Sequence, residues 1–294
     1  MKKRLLIPLL LILFSVANAQ TYTIKYNWKK GDKFHFESNT SQDIKMEQAG
    51  NTTQTIGVGY TIVVDDVLPT GNFMCTAVYD KMQLHSSAYA DLGIQDVLNT
   101  TLDKMVGLGF KIEVTPTGKC ANVSGVKDFI RDYSLLMAPG NSPEEKFKRD
   151  EFVDKMNGQF TDSSLKSEFE NLSGLNFPER GIKIKESWSR TVSQKLLIDK
   201  KSVYNYTLDG IDGDIATISY TVKAVTDGEL KIGINTDADF KITGDGTFKI
   251  NMQTGLATEG YGYIEAKGYI DVGGKNDKTA IVSETLFKQQ EIKN

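Results

Sequence analysis

Apolar and polar residues alternate along most of this chain. Tyr22, Ile24, Tyr26 and Trp28 share one parity while Thr23, Lys25 and Asn27 take the other, which predicts a half-buried strand. Gly31-Asp32 turns the chain, and Phe34, Phe36, Ile44 and Met46 carry the next strand or strands. Ile56 to Val67 and Phe73 to Leu84 read as a hairpin across Leu68-Pro69-Thr70-Gly71-Asn72. Strands return after Ile182, with hairpin turns expected at Asp209-Gly210, Asp212-Gly213, Asp227-Gly228 and Thr254-Gly255, because such pairs tolerate the positive φ of a tight turn.

Between the two β runs the period becomes helical. Leu92, Val97, Leu98, Leu102, Met105 and Val106 predict a helix that Gly107 and Gly109 end, and Val126 to Leu136 predict a second. Ser142-Pro143-Glu144-Glu145 is a capping box in which Ser142 and Glu145 each satisfy a backbone N–H, with proline at the position that does not miss its own. Phe152, Met156 and Phe160 follow on one helix face, and Gly158 separates them from a further helix with Leu165, Phe169 and Leu172. The order strands, helices, strands predicts a mainly β, α+β fold of curved antiparallel sheets with a helical insert packed against them.

An internal echo predicts two half-barrel-like repeats. Phe110-Lys111-Ile112-Glu113-Val114-Thr115-Pro116-Thr117-Gly118 resembles Phe248-Lys249-Ile250-Asn251-Met252-Gln253-Thr254-Gly255, each an alternating strand running into a Thr-Gly turn. The halves then span residues 20–175, with the helical insert, and 176–294, separate or joined in one continuous domain.

The first 19 residues have the layout of a secretory signal. Lys2, Lys3 and Arg4 precede an apolar run from Leu5 to Phe14, and Ala17-Asn18-Ala19 is a small-x-small cleavage site. This predicts export to the periplasm or the outside. Gln20 stands where a lipoprotein would need its acylated cysteine, and no later apolar run is long enough for a membrane span. The net charge of −3 becomes −6 without the three leader cations, a poor fit to nucleic acid, whose binding draws on phosphate neutralisation. An exported chain with an even cysteine count allows a Cys75–Cys120 disulfide; the alternative is two buried thiols.

Constellations for chemistry are sparse. His35 and His85 are the only histidines, too few for a three-histidine zinc site, and no Gly-x-Ser-x-Gly elbow occurs. Asn235-x-Asp237-x-Asp239 starts like a calcium loop but has Phe240 at the sixth position and Gly246 at the twelfth, so it reads as a strand face. Gly244-x-Gly246 and Gly260-x-Gly262 open no helix and read as strand glycines at bends or bulges. Neither a catalytic residue, a metal nor a cofactor is expected.

The block Phe110 to Gly125, the helical stretch after it, Asn176-Phe177-Pro178 leading into Glu186-Ser187-Trp188-Ser189, and Gly244-Asp245-Gly246-Thr247-Phe248 to Gly255 resemble an uncharacterised family of exported bacterial β-rich proteins, a domain of unknown function often found as lipoproteins. The resemblance implies no functional residue. More remotely, the layout is similar to periplasmic lipoprotein carriers, in which a curved sheet wraps helices around an apolar cavity. The expectation is a non-enzymatic binder of a lipid-like ligand, with Phe152, Met156 and Phe160 facing that ligand. The alternative is a cell-envelope module recognising a protein or glycan.

Overall fold

In a computed structural model the alternating segments pair into one antiparallel sheet of eleven strands. Residues 20–48, 50–159, 161–163, 165, 166, 169, 177–194, 200–231, 235–271 and 276–292 are described; residues 1–19, with the expected signal, and Phe160 lie outside them. The first half supplies β1 (Lys33–Met46), β2 (Gly50–Val67), β3 (Phe73–Ser86), β4 (Gly109–Val114) and β5 (Cys120–Ser124). The second supplies β6 (Ser187–Gln194), β7 (Lys200–Asp212), β8 (Ile215–Lys231), β9 (Asn235–Asn251), β10 (Ala257–Asp271) and β11 (Asn276–Glu291). Two short helices, α1 (Ser87–Asp91) and α2 (Gln95–Asp103), follow β3; α3 (Val126–Met137) and α4 (Pro143–Gln159) follow β5.

The strand order is β5-β4-β3-β2-β1-β11-β10-β9-β8-β7-β6. The two halves therefore join through β1 and β11, which pair from Phe34↔Glu291 to Met46↔Thr279, and form one continuous sheet. Asp212-Gly213 and Thr254-Gly255 make hairpin turns as expected. Asp209-Gly210 instead sits at a bulge in β7, and Asp227-Gly228 stays inside β8, whose ladder with β9 runs on to Lys231↔Asn235. Among the described residues no helix is long and apolar enough to cross a membrane.

The alternation at Tyr22–Trp28 is real but does not build a strand of the sheet. Ile24, Tyr26 and Trp28 are all buried, while the segment's backbone bonds go to three separate places. Tyr22 pairs with Ile182; the Tyr26 N–H donates to the Pro116 carbonyl at 2.7 Å in the β4–β5 turn; the Asn27 N–H donates to the Thr254 carbonyl at 3.3 Å in the β9–β10 turn. In a flat sheet β4 and β10 stand five strand spacings apart, about 24 Å. Consecutive residues of the strap, about 3.8 Å apart, reach both turns, so the sheet curls into a trough that the strap crosses at one end.

Helices fill the first-half side of the trough. α3 buries Val126, Phe129, Ile130 and Tyr133 against the sheet, and the Tyr133 hydroxyl donates to the Thr101 carbonyl. Phe129 meets Tyr79 and Phe110, and Phe169 meets Tyr60 and Phe110, at ring distances of 5.2 to 6.1 Å. α4 begins at the expected capping box, with the Glu145 N–H donating to Ser142 Oγ and the Ser142 N–H to Glu145 Oε2.

Gly255 is where strap and sheet meet most closely. Its φ is +78°, and a Cβ there would lie 2.7 Å from the Lys25 carbonyl carbon and 2.8 Å from Tyr26 Cα. Gly255→Ala is expected to lose stability beyond the roughly 1–3 kcal/mol of backbone strain alone. Gly213→Ala, at positive φ but in open space, should lose only the strain; urea unfolding of both variants checks the difference.

An apolar slot beneath the strap

Where the strap crosses the trough, a slot of about 30 Å³ remains between strap, sheet and the helical layer. Its walls are Tyr26 and Trp28 from the strap, Phe36, Val58, Tyr60, Ile62, Ile112, Val114 and Phe287 from the sheet, and Phe169 from above. Tyr26 and Trp28 stack at 4.2 Å, and Trp28 also packs on Phe34 and Phe73. These residues are missed as site residues by sequence reading, which places them on an ordinary strand. Their signal is the aromatic end of the alternating run that follows the leader.

Polar groups of Trp28, Tyr26 and Tyr60 are buried in this apolar setting. Trp28 Nε1, on a residue 5 % exposed, has no hydrogen-bond partner. The Tyr26 hydroxyl, on a residue 2 % exposed, lies toward the Gln289 amide without completing a bond, while Gln289 Oε1 accepts from the Ala257 N–H at 2.9 Å. Burial pushes the Tyr26 hydroxyl well above the usual tyrosine range, so it stays protonated.

Strand register shows what lines the trough beyond the slot. Row by row across β8, β9, β10, β11, β1 and β2, the inward positions are Ile218-Phe248-Gly260-Phe287-Ser38-Val58, Tyr220-Gly246-Gly262-Thr285-Thr40-Ile56, and Val222-Gly244-Ile264-Ser283-Gln42-Gln54. Every one is uncharged. The polar members bond to one another: Thr40 to Thr285 at 3.0 Å, and Gln42 to Ser283 at 3.0 Å and to Gln54. Gly246, Gly260 and Gly262 are beds for aromatic rings rather than bends or bulges, while Gly244 lies close against the β10 backbone at Tyr263 and Ile264. A Cβ at Gly246 or Gly262 would strike the Tyr220 ring or its hydroxyl, and one at Gly260 would come within 2.6 Å of Phe248.

Across these rows charge falls on the outer face. There His35 Nδ1 lies 2.8 Å from Asp80 Oδ2, which also accepts from Thr61 Oγ1 at 2.7 Å. Lys81 beside Glu37, at 2.7 Å, holds that carboxyl below its usual range. The cluster sits at a bulge where Asp80 is the extra residue, and Gly59 leaves room for it. It lacks the order of a catalytic triad, since Thr61 bonds the carboxylate and His35 Nε2 faces Glu37 at 4.0 Å. His85 is exposed. Among the described residues no group of histidine, cysteine and carboxylate side chains is arranged to hold a metal.

The other sequence-predicted residues fall around the slot. Cys75 and Cys120 are buried on β3 and β5 and are not joined in the disulfide their even count allows; Cys120 Sγ donates to the Asn122 carbonyl at 3.5 Å, and Cys120 lines the slot. Phe152 and Met156 on α4 are half-buried against the core; Phe152 touches Tyr133 edge-on at 5.3 Å, and neither residue lines the slot. Phe160 lies outside the described residues. The calcium-like Asn235-x-Asp237-x-Asp239 is part of strand β9.

Removing the half-buried Phe152 ring (Phe152→Ala) is expected to cost no more than about half of the roughly 3–5 kcal/mol expected for Phe129→Ala in the core, by chemical denaturation. Burial, and secondarily the charge of Asp65, pushes the Cys75 thiol from 9.0 up to about 12. Folding thus favours its protonated form, and this share of stability is complete below pH 9 and lost as pH rises toward 12. A disulfide-exchange thiol reagent should label neither cysteine of the folded chain at neutral pH and both in denaturant.

A search of curated protein sequences finds no match. Among solved structures, the chain is similar to lipovitellin, described with its lipid–protein interactions, at 6% identity and a TM-score of 0.49. The alignment covers 90% of this chain, which spans 25% of the lipovitellin chain. Residues 71–257, from the turn before β3 to the first residue of β10, match the model of a family of unknown function (DUF6263), and the chain belongs to that family.

Proposed function

We propose that this is an exported, non-enzymatic protein that binds a lipid-like, apolar ligand in the trough of its sheet. The observation that carries this reading is the slot: an almost wholly apolar lining next to uncharged rows of the trough floor, with a buried tryptophan N–H that has no partner among the described residues. A trough built only to pack a core has no reason to bury an unmet donor, which costs about 1–3 kcal/mol. The leader supports export, and the outward-facing charge supports solubility after processing.

At about 30 Å³ the slot admits a group the size of roughly two waters, so a ligand with a chain needs its roof to move. The helical layer beside the slot is loosely held. α4 has no fully buried side chain among its described residues and rests on the core through Phe152, Val153 and Met156, all half-buried. Phe169, not the α4 residues, closes the slot itself.

The test is native mass spectrometry of the processed chain purified from its own host, with organic extraction of the same sample. A co-purifying lipid-sized mass is the expected result, and a bare chain mass from several preparations overturns the reading. Trp28 gives a second readout: with Trp188→Phe as background it is the sole tryptophan, and its emission should shift on titration with N-phenyl-1-naphthylamine, a neutral apolar probe.

A further inference from the structure

The slot's chemistry goes further than "apolar" and narrows the ligand class; this step rests on the binding reading above. Trp28 Nε1 is a donor with no acceptor capacity, so its missing partner must accept a hydrogen bond. That partner must also suit a site without a cation. Among the described residues of the slot wall, Glu37 is the one charged at neutral pH, and its carboxylate is on the outer face with Lys81. The trough floor that continues from the slot through Thr40, Gln42, Ser283 and Thr285 carries hydroxyls and amides alone. An anionic head in this place loses its hydration and gains no counter-charge, a heavy penalty. An uncharged carbonyl loses little and meets the waiting N–H.

We propose that the ligand is a neutral acyl compound, an ester or amide and not a free fatty acid, whose carbonyl oxygen accepts from Trp28 Nε1–H while its chain lies against the apolar wall. The stacked Tyr26 ring holds the indole in place; the Tyr26 hydroxyl, protonated and buried beside it, can also donate, so the slot offers donors to an acceptor and no positive charge.

The experiment compares three ligands of equal chain length on the processed chain: methyl decanoate, decanoate at about pH 7.5, where it is ionised, and decane. Each displaces N-phenyl-1-naphthylamine from the wild-type protein and from Trp28→Phe. The ester is expected to bind wild type more than about 10-fold tighter than the anion. Trp28→Phe should weaken the ester roughly 2- to 10-fold and leave decane unchanged. Should the variant not fold, the indole ¹H–¹⁵N resonance of Trp28 in wild type decides: it moves downfield with the ester and not with decane. An anion that binds as tightly as the ester, or an indole resonance blind to the ester, overturns the proposal while leaving apolar binding intact; the second outcome is that of a slot whose N–H is met by water. If neither the naphthylamine nor any of the three ligands binds, the broader reading falls and this one with it.

Discussion

The fold depends on a reach. A curled sheet of eleven strands has no closing ladder, since β5 and β6 remain unpaired with each other. What holds the two limbs at their working distance is the N-terminal strap, one segment bonded to a turn on each limb and to the crossover at Ile182. Its side chains do the rest: Ile24, Tyr26 and Trp28 pack beneath the turns whose carbonyls its backbone uses. Curvature, the width of the trough and the position of the slot all follow from this one span. A strap of the same composition with a different register would put its lysine where Tyr26 stands and leave the limbs without a shared core.

Strand alternation turns that curvature into a sorting of charge. Because side chains alternate faces with period two, three successive inward rows free of charge from β8 to β2 require that the lysines and carboxylates of those strand segments fall on outward positions. The inward hydroxyls and amides satisfy one another in a short ladder, so the floor is polar without being ionic. Glycines on β9 and β10 let Tyr220 and Phe248 lie flat on the backbone and thin the wall there. The outer His35–Asp80 cluster is the complementary product of the same rule: a bulge adds one residue and aims a carboxylate at an imidazole on the wet side.

Much of this was legible in the residues. The β2–β3 hairpin, α3, the Ser142–Glu145 capping box and the mainly β class all come from local signals of period and cap. Three things were not local. The strap alternates like a strand, and only its long-range partners, more than 80 residues away, reveal that it crosses the sheet instead of joining it. Asp209-Gly210 and Asp227-Gly228 have turn chemistry, but neighbouring ladders overrode it with a bulge and a continuous strand. Helical i, i+4 spacing points to a face of α4, while the slot is walled by the strap, the sheet and Phe169. Helical spacing tells which side of α4 packs; it does not tell whether the space beneath is filled.

The pairing of β1 with β11 also bears on how the molecule comes to exist. Phe34 and Glu291 are neighbours in the ladder but nearly a full chain length apart in sequence. Until the last residues leave the ribosome, β1 has β2 on one side and an open edge on the other, a row of unpaired amides able to take any passing strand. Topologies that wait for such distant pairing fold slowly, because the loop must close before the contact returns anything. A nascent chain of this design stays loose by its own architecture until β11 has been made, so the last strand to appear is the one that lets the two limbs become a single sheet.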